Sequence, residues 1–202
     1  MALTALALVC TLKPSGEKSS TDLIASQVLE ELAKHGVTGS SVRVVDEDVK
    51  PGVDIDMGDG DAWPSIRDKV LAADILLLAT PIWMGQASSV AHRVIERLDA
   101  ELSETDDEGR PTLYGKVAIV AVVGNEDGAH HVSAVMFQAL NDVGFTIPAQ
   151  AVTYWDGQAM KSTDYQDLPS TPNETADTNA AVARNAVHLA AQLAASNYPT
   201  ED

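Results

Sequence analysis

Residues 74–98 constrain the fold more than any other stretch, because an unbroken apolar run, a short polar loop and a helical apolar stripe follow one another directly. Ile75, Leu76, Leu77 and Leu78 read as a strand buried on both faces, as in a parallel sheet covered by helices on each side. Pro81 is expected to end the ladder, since it has no N–H to donate. Gly85 permits a sharp turn. Beyond it Ala87, Val90, Ala91, Val94, Ile95, Leu98 and Leu102 recur at helical spacing, which turns one face to the sheet and leaves Arg93, Glu96 and Arg97 facing water. The loop between strand and helix then lies at the carboxyl edge of the sheet, where open α/β folds bind ligands.

The rest of the chain repeats this alternation. A first strand over 3–10 precedes a loop over 11–20 and a helix with Leu23, Ile24, Val28, Leu29 and Leu32 on one face, stopped at Gly36. A short second strand is expected over 41–45, a Gly- and Asp-rich connection over 46–61, and a helix over 63–72. After a charged connection, 116–123 reads as another buried strand. A helix over 129–142 turns Val132, Val135, Met136, Ala139 and Leu140 inward, with Gly144 as its stop. A fifth strand over 146–154, a long polar loop over 155–174 and an alanine-rich helix over 176–195 complete the chain. The expected architecture is a single α/β domain over residues 1–202, a three-layer sandwich with a five-stranded parallel sheet in the order 2-1-3-4-5 and helices on both faces.

Composition removes several classes of function. The formal charge is −17, from 30 acidic and 13 basic residues, so phosphate backbones and anionic membrane surfaces are poor partners. No nucleic acid and no membrane association are expected. Cys10 is the only cysteine, which excludes an intramolecular disulfide and any cluster held by several thiolates of one chain, and fits a reducing, cytoplasmic setting. The apolar N-terminus has no basic start and is too short to span a bilayer, so it reads as the first core strand.

In the order 2-1-3-4-5, the loops after strands one, three and four surround one crevice. The first carries Thr11, Lys13, Ser19, Ser20 and Thr21. Hydroxyls, a lysine and a helix N-terminus with unpaired N–H groups suit a phosphate monoester, while Ser20 or Thr21 could also serve simply as the helix cap. The Gly-Lys-Ser/Thr ending of a nucleotide-triphosphate loop is missing. The second loop, Pro81, Ile82, Trp83, Met84 and Gly85, offers backbone donors, a flat ring and a thioether, which suit a planar heteroaromatic ligand; a packed tryptophan is the alternative. The third, Gly124, Asn125, Glu126, Asp127 and Gly128, allows close approach and supplies an amide. Glu126, Asp127, His130 and His131 do not form a convincing metal site, because neighbouring histidines at a helix start diverge. No metal is expected.

These three segments resemble the flavodoxin-like NADPH-dependent FMN reductases and the related NAD(P)H quinone reductases, with residues 80–89 the most specific part and the likeness spanning roughly residues 3–150. The resemblance implies noncovalent FMN, its phosphate on the first loop and its ring between the second and third, with NADPH or NADH as electron donor. It also implies a homodimer or homotetramer. Electrons would pass from nicotinamide through the flavin to a quinone, a flavin or a similar small acceptor, with no protein nucleophile as a catalytic residue. Leu12-Lys13-Pro14 departs from the Ser-Pro-Arg or Ser-Leu-Arg run of many relatives. Two other readings share the fold: an FMN electron carrier, and a flavin-free small-ligand binding or regulatory domain.

Overall fold

The computed structural model describes residues 2–157 and 161–200. Its strands are β1 (Thr4–Val9), β2 (Thr38–Arg43), β3 (Ile75–Trp83), β4 (Gln86–Ala87), β5 (Val117–Val123) and β6 (Val152–Trp155). The helices are α1 (Ser20–Lys34), α2 (Trp63–Ala72), α3 (Ser89–Leu98), α4 (Ala129–Asp142) and α5 (Asn173–Ala195). Five strands form one parallel path in the order β2-β1-β3-β5-β6, which is the expected flavodoxin-like arrangement. The two-residue β4 is additional and pairs antiparallel with the end of β3.

Period-two alternation sorts the sheet's side chains into two cores. Leu6, Leu8, Leu76, Leu78, Val120 and Val122 face α2, α3 and α4. Ala5, Ala7, Val9, Ile75, Leu77 and Ile119 face α1 and α5. Each fully buried Leu, Ile or Val contributes about 1.5–3 kcal/mol relative to exposure, so β3, buried from Ile75 to Thr80, anchors both layers. The small Ala5 and Ala7 let α1 sit close to the sheet, and Ile24, Val28 and Leu32 fill that contact.

Several expectations are corrected. Pro81 does not end β3, because its Cα stands opposite Val123 and the strand runs on to Trp83. Pairing with β1 stops at Val9 opposite Ala79, and the Ala79 carbonyl accepts the Cys10 N–H. Pro81, two residues on, turns its missing donor to that same side, where β1 has already ended. β2 lies at Thr38–Arg43 rather than 41–45. In the expected fifth strand, Thr146 makes an isolated bridge to Val117, and the ladder itself is Val152–Trp155. Val135 and Leu102 are exposed, and Ser133 takes the inward position on α4. α5 starts at Asn173, three residues early; the expected loop before it includes 158–160, which lie outside the described residues.

Arg97 is fully buried rather than facing water. It reaches under the 46–61 connection, donating to the carbonyls of Lys50, Asp54 and Ile55. A segment rich in Gly and Asp is thereby held to α3 by one side chain, and Arg93 adds a bond to the Val49 carbonyl. Glu101, also buried, accepts from Arg67 and from the Thr112 hydroxyl and ties the following turn to α2.

Candidate functional site

The carboxyl ends of β1, β3 and β5 meet around a pocket lined by Thr11, Leu12, Lys13, Ser19, Ser20, Thr21, Pro81, Ile82, Trp83, Val123, Gly124, Asn125 and Asp164. Ten of these residues are among the site residues expected from the three loops, so parts of the chain more than a hundred residues apart converge at the switch between β1 and β3. Its cavity volume is about 100 Å³ and it opens beside the half-exposed Trp83, so a small anionic group can seat inside while larger parts of a ligand extend into the mouth.

The first loop is built around Thr11. Its hydroxyl accepts the Lys13 N–H at 3.2 Å and the Ser19 hydroxyl proton at 3.0 Å. Ser19, not Ser20 or Thr21, is the cap of α1, its Oγ accepting the Asp22 N–H. Ser20 instead accepts the Gln166 N–H, which brings the segment before α5 over the start of α1. Among the described residues the backbone N–H groups of Ser20 and Thr21 have no hydrogen-bond partner. These orphan donors, at the positive end of a 15-residue helix, sit in the pocket wall.

The second loop is a tight hairpin. Trp83 stands opposite Gln86, so Met84 and Gly85 alone make the turn, with φ of 55° and 71°. Two consecutive positive φ values define the two-residue turn that matches strand twist, and Gly85 meets this without strain. Ser88 then caps α3 through the Ala91 N–H and donates to the Cys10 carbonyl at 2.6 Å, joining the tips of β1 and β3. Trp83 is 53% exposed and Met84 89% exposed; Met84 and Gly85 do not line the pocket.

The third loop packs on the second. A Cβ on Gly128 would lie 2.9 Å from the Gly85 Cα, and one on Gly124 2.9 Å from the Ile82 Cβ. Glu126 accepts the Gly85 N–H at 3.2 Å, and His131 meets Gln86. Glu126, Asp127 and Gly128 therefore shape the hairpin from behind and do not line the pocket, whereas Gly124 and Asn125 do. Asn125 donates to Asp164 at 3.0 Å. Leu12, Val123 and Asp164 complete the lining and were not among the expected residues. Leu12 and Val123 follow once both strand ends are known, but no local signal links Asp164 to a strand tip 39 residues away.

Cys10 is fully buried beneath the site, and burial pushes its thiol far up, away from nucleophilic chemistry. Beside the pocket a more open groove of about 640 Å³ runs between the end of β6 and the start of α5, bordered by Tyr154, Trp155, Lys161, Leu168 and Pro172. No helix among the described residues is long and apolar enough to cross a membrane.

The family model for NADPH-dependent FMN reductase matches residues 3–160. The chain is 33% identical over 213 residues to 8-demethyl-8-aminoriboflavin-5'-phosphate synthase of Streptomyces davaonensis, covering 100% of this chain and 82% of that protein. It is 38% identical over 200 residues to a protein of Mycobacterium bovis named divalent metal cation transporter MntH, covering 96% of this chain but only 29% of that protein. The crystal structure of RosB with bound 8-demethyl-8-formylriboflavin-5'-phosphate superimposes with a TM-score of 0.86 at 31% identity, over 98% of this chain and 82% of that one. The chain belongs to the NADPH-dependent FMN reductase family, flavin-using oxidoreductases whose cofactors are FMN and NADPH.

Proposed function

We propose that the protein is an FMN-dependent NAD(P)H oxidoreductase that passes electrons from a nicotinamide to a quinone, a flavin or a similar small acceptor. The observation that carries this reading is the pair of unpartnered Ser20 and Thr21 amides at the start of α1, in the wall of a pocket that could seat a phosphate. The Thr11 hydroxyl, which accepts from Ser19 and keeps its own proton free, and the Lys13 ammonium add donors around them. Trp83 at the pocket's mouth offers a flat surface to the ring, and Asn125, held by Asp164, offers polar contact from the other edge. When bound, FMN supplies the two-electron chemistry.

The chain's own contribution is positional. The hairpin at Met84 and Gly85, braced by Glu126 and Gly128, sets where a ring can rest. The neighbouring groove at Trp155 has the volume for a co-substrate beside the flavin. In this reading a homodimer or homotetramer covers Trp83 and Met84, which lie exposed on the single chain, and the protein acts in the cytoplasm on small molecules.

The test is to load the protein with FMN, follow NADPH and NADH consumption with a quinone, and take the mass of the flavin afterwards. Nicotinamide consumption with unchanged flavin supports the reductase. A flavin of changed mass favours a second reading, flavin as substrate, which rests on the 33% identity to an aminoriboflavin-phosphate synthase along the whole chain. Bound flavin with no nicotinamide consumption points to an electron carrier.

A further inference from the structure

The loop from Thr11 to Ser19 is held from outside the pocket by two residues of the β2 exit. Arg43, the last residue of β2, donates through Nη1 to the Pro14 carbonyl at 2.7 Å and the Glu17 carbonyl at 3.1 Å, and through Nη2 pairs with Asp22 at 2.8 Å. Its side chain is 12% exposed. Asp46 accepts the Ser15 N–H at 2.9 Å on one oxygen and the Ser15 hydroxyl on the other. The Ser15 hydroxyl, then its N–H, hold the Asp46 carboxyl below its usual range against a smaller opposing effect of desolvation.

Between these anchors, Pro14 to Glu17 form a tight turn closed by the Glu17 N–H on the Pro14 carbonyl, with Gly16 at φ +94° in the position that requires it. Arg43 therefore binds the carbonyls of both turn ends, and Asp46 binds Ser15 between them. Neither residue lines the pocket, whereas Thr11, Leu12, Lys13 and Ser19 on either side of the turn do. A polar loop left free would have to be ordered by its ligand, and fixing it beforehand removes that entropic cost from binding.

We propose that Arg43 and Asp46 are positioning residues which preorder this loop for a phosphate monoester, and so set the discrimination of FMN from riboflavin. The proposal rests on the reading of the pocket as a flavin-phosphate site. Its chemistry is selective, because the two flavins share the ring and the polyol and differ only in the group that the loop would receive.

The experiment is equilibrium titration of flavin-free protein with FMN and with riboflavin, for wild type, Arg43→Met, Arg43→Lys and Asp46→Asn. The wild type is expected to prefer FMN. Arg43→Met should raise the FMN Kd about tenfold and leave the riboflavin Kd unchanged; Arg43→Lys, which keeps a donor and the charge, should recover part of the loss, and Asp46→Asn should cost about threefold. If the FMN preference survives all three substitutions, or both flavins weaken together, this proposal is overturned while the flavin site stands. A wild type that takes up neither flavin, or takes up both equally, overturns the phosphate-site reading and this proposal with it. Should Arg43→Met fail to fold, Arg43→Lys and Asp46→Asn carry the same comparison.

Discussion

Arg97 and Asp61 pair at 2.8 Å with both side chains fully removed from solvent. The guanidinium also lies 5.6 Å from the Trp63 ring centre, and Asp61 accepts the N–H groups of Met57, Lys50 and Trp63. Every charge here is met, so the cluster fixes an irregular 16-residue connection that has little apolar surface of its own.

Removing one partner leaves the other charge buried. Arg97→Met should destabilise the protein by about 3–5 kcal/mol, read as a lowered denaturant midpoint. A loss below about 1 kcal/mol would mean that the connection is held by other contacts.

Asp61 also sets an acid limit. Burial by itself raises its carboxyl, but the Met57, Lys50 and Trp63 amides and Arg97 outweigh it and lower the pKa to about 2. A folded pKa below the unfolded value of about 3.9 gives stability that is complete above about pH 5 and is lost progressively as pH falls through the folded pKa of about 2. The loss over that window is about 2 kcal/mol, and Asp61→Asn should abolish this part of the acid dependence in denaturation curves taken at a series of pH values. An unchanged acid limb in the variant would contradict the assignment.

At Gly128, φ is +133° and an added Cβ would meet the Gly85 backbone. Gly128→Ala should cost about 1–3 kcal/mol and displace the Met84–Gly85 turn, giving weaker FMN retention as well as a lower Tm. Normal retention at a lowered Tm would separate the hairpin from the ring site.

Trp83, more than half exposed, contributes little to the core. Trp83→Ala should leave Tm within a few degrees and weaken FMN binding about three- to tenfold, with a changed visible spectrum of bound flavin. Unchanged binding with reduced solubility would contradict a contact between Trp83 and the ring and leave it a purely structural residue.

The strand-loop-helix units were legible because periodicity reports burial directly: Ile75 to Leu78, Val117 to Val123 and the α4 stripe each carry their own signal. The three loops followed, since strand order alone brings their ends together. Arg97 was misread because a helix pattern scores a charged side chain as solvent-facing, and only the tertiary structure supplies the carbonyls and the carboxylate that satisfy it. Pro81 was misread because its tolerance depends on where the neighbouring β1 stops, which is a property of register. Asp164, Arg43 and Asp46 act through long-range polar contacts that leave no periodic trace in sequence.

A crystal structure of the protein soaked with FMN locates the phosphate site outright. The phosphate is expected within hydrogen-bond distance of the Ser20 and Thr21 amides, with the ring against Trp83. A phosphate bound elsewhere, with those amides facing water, would contradict this placement.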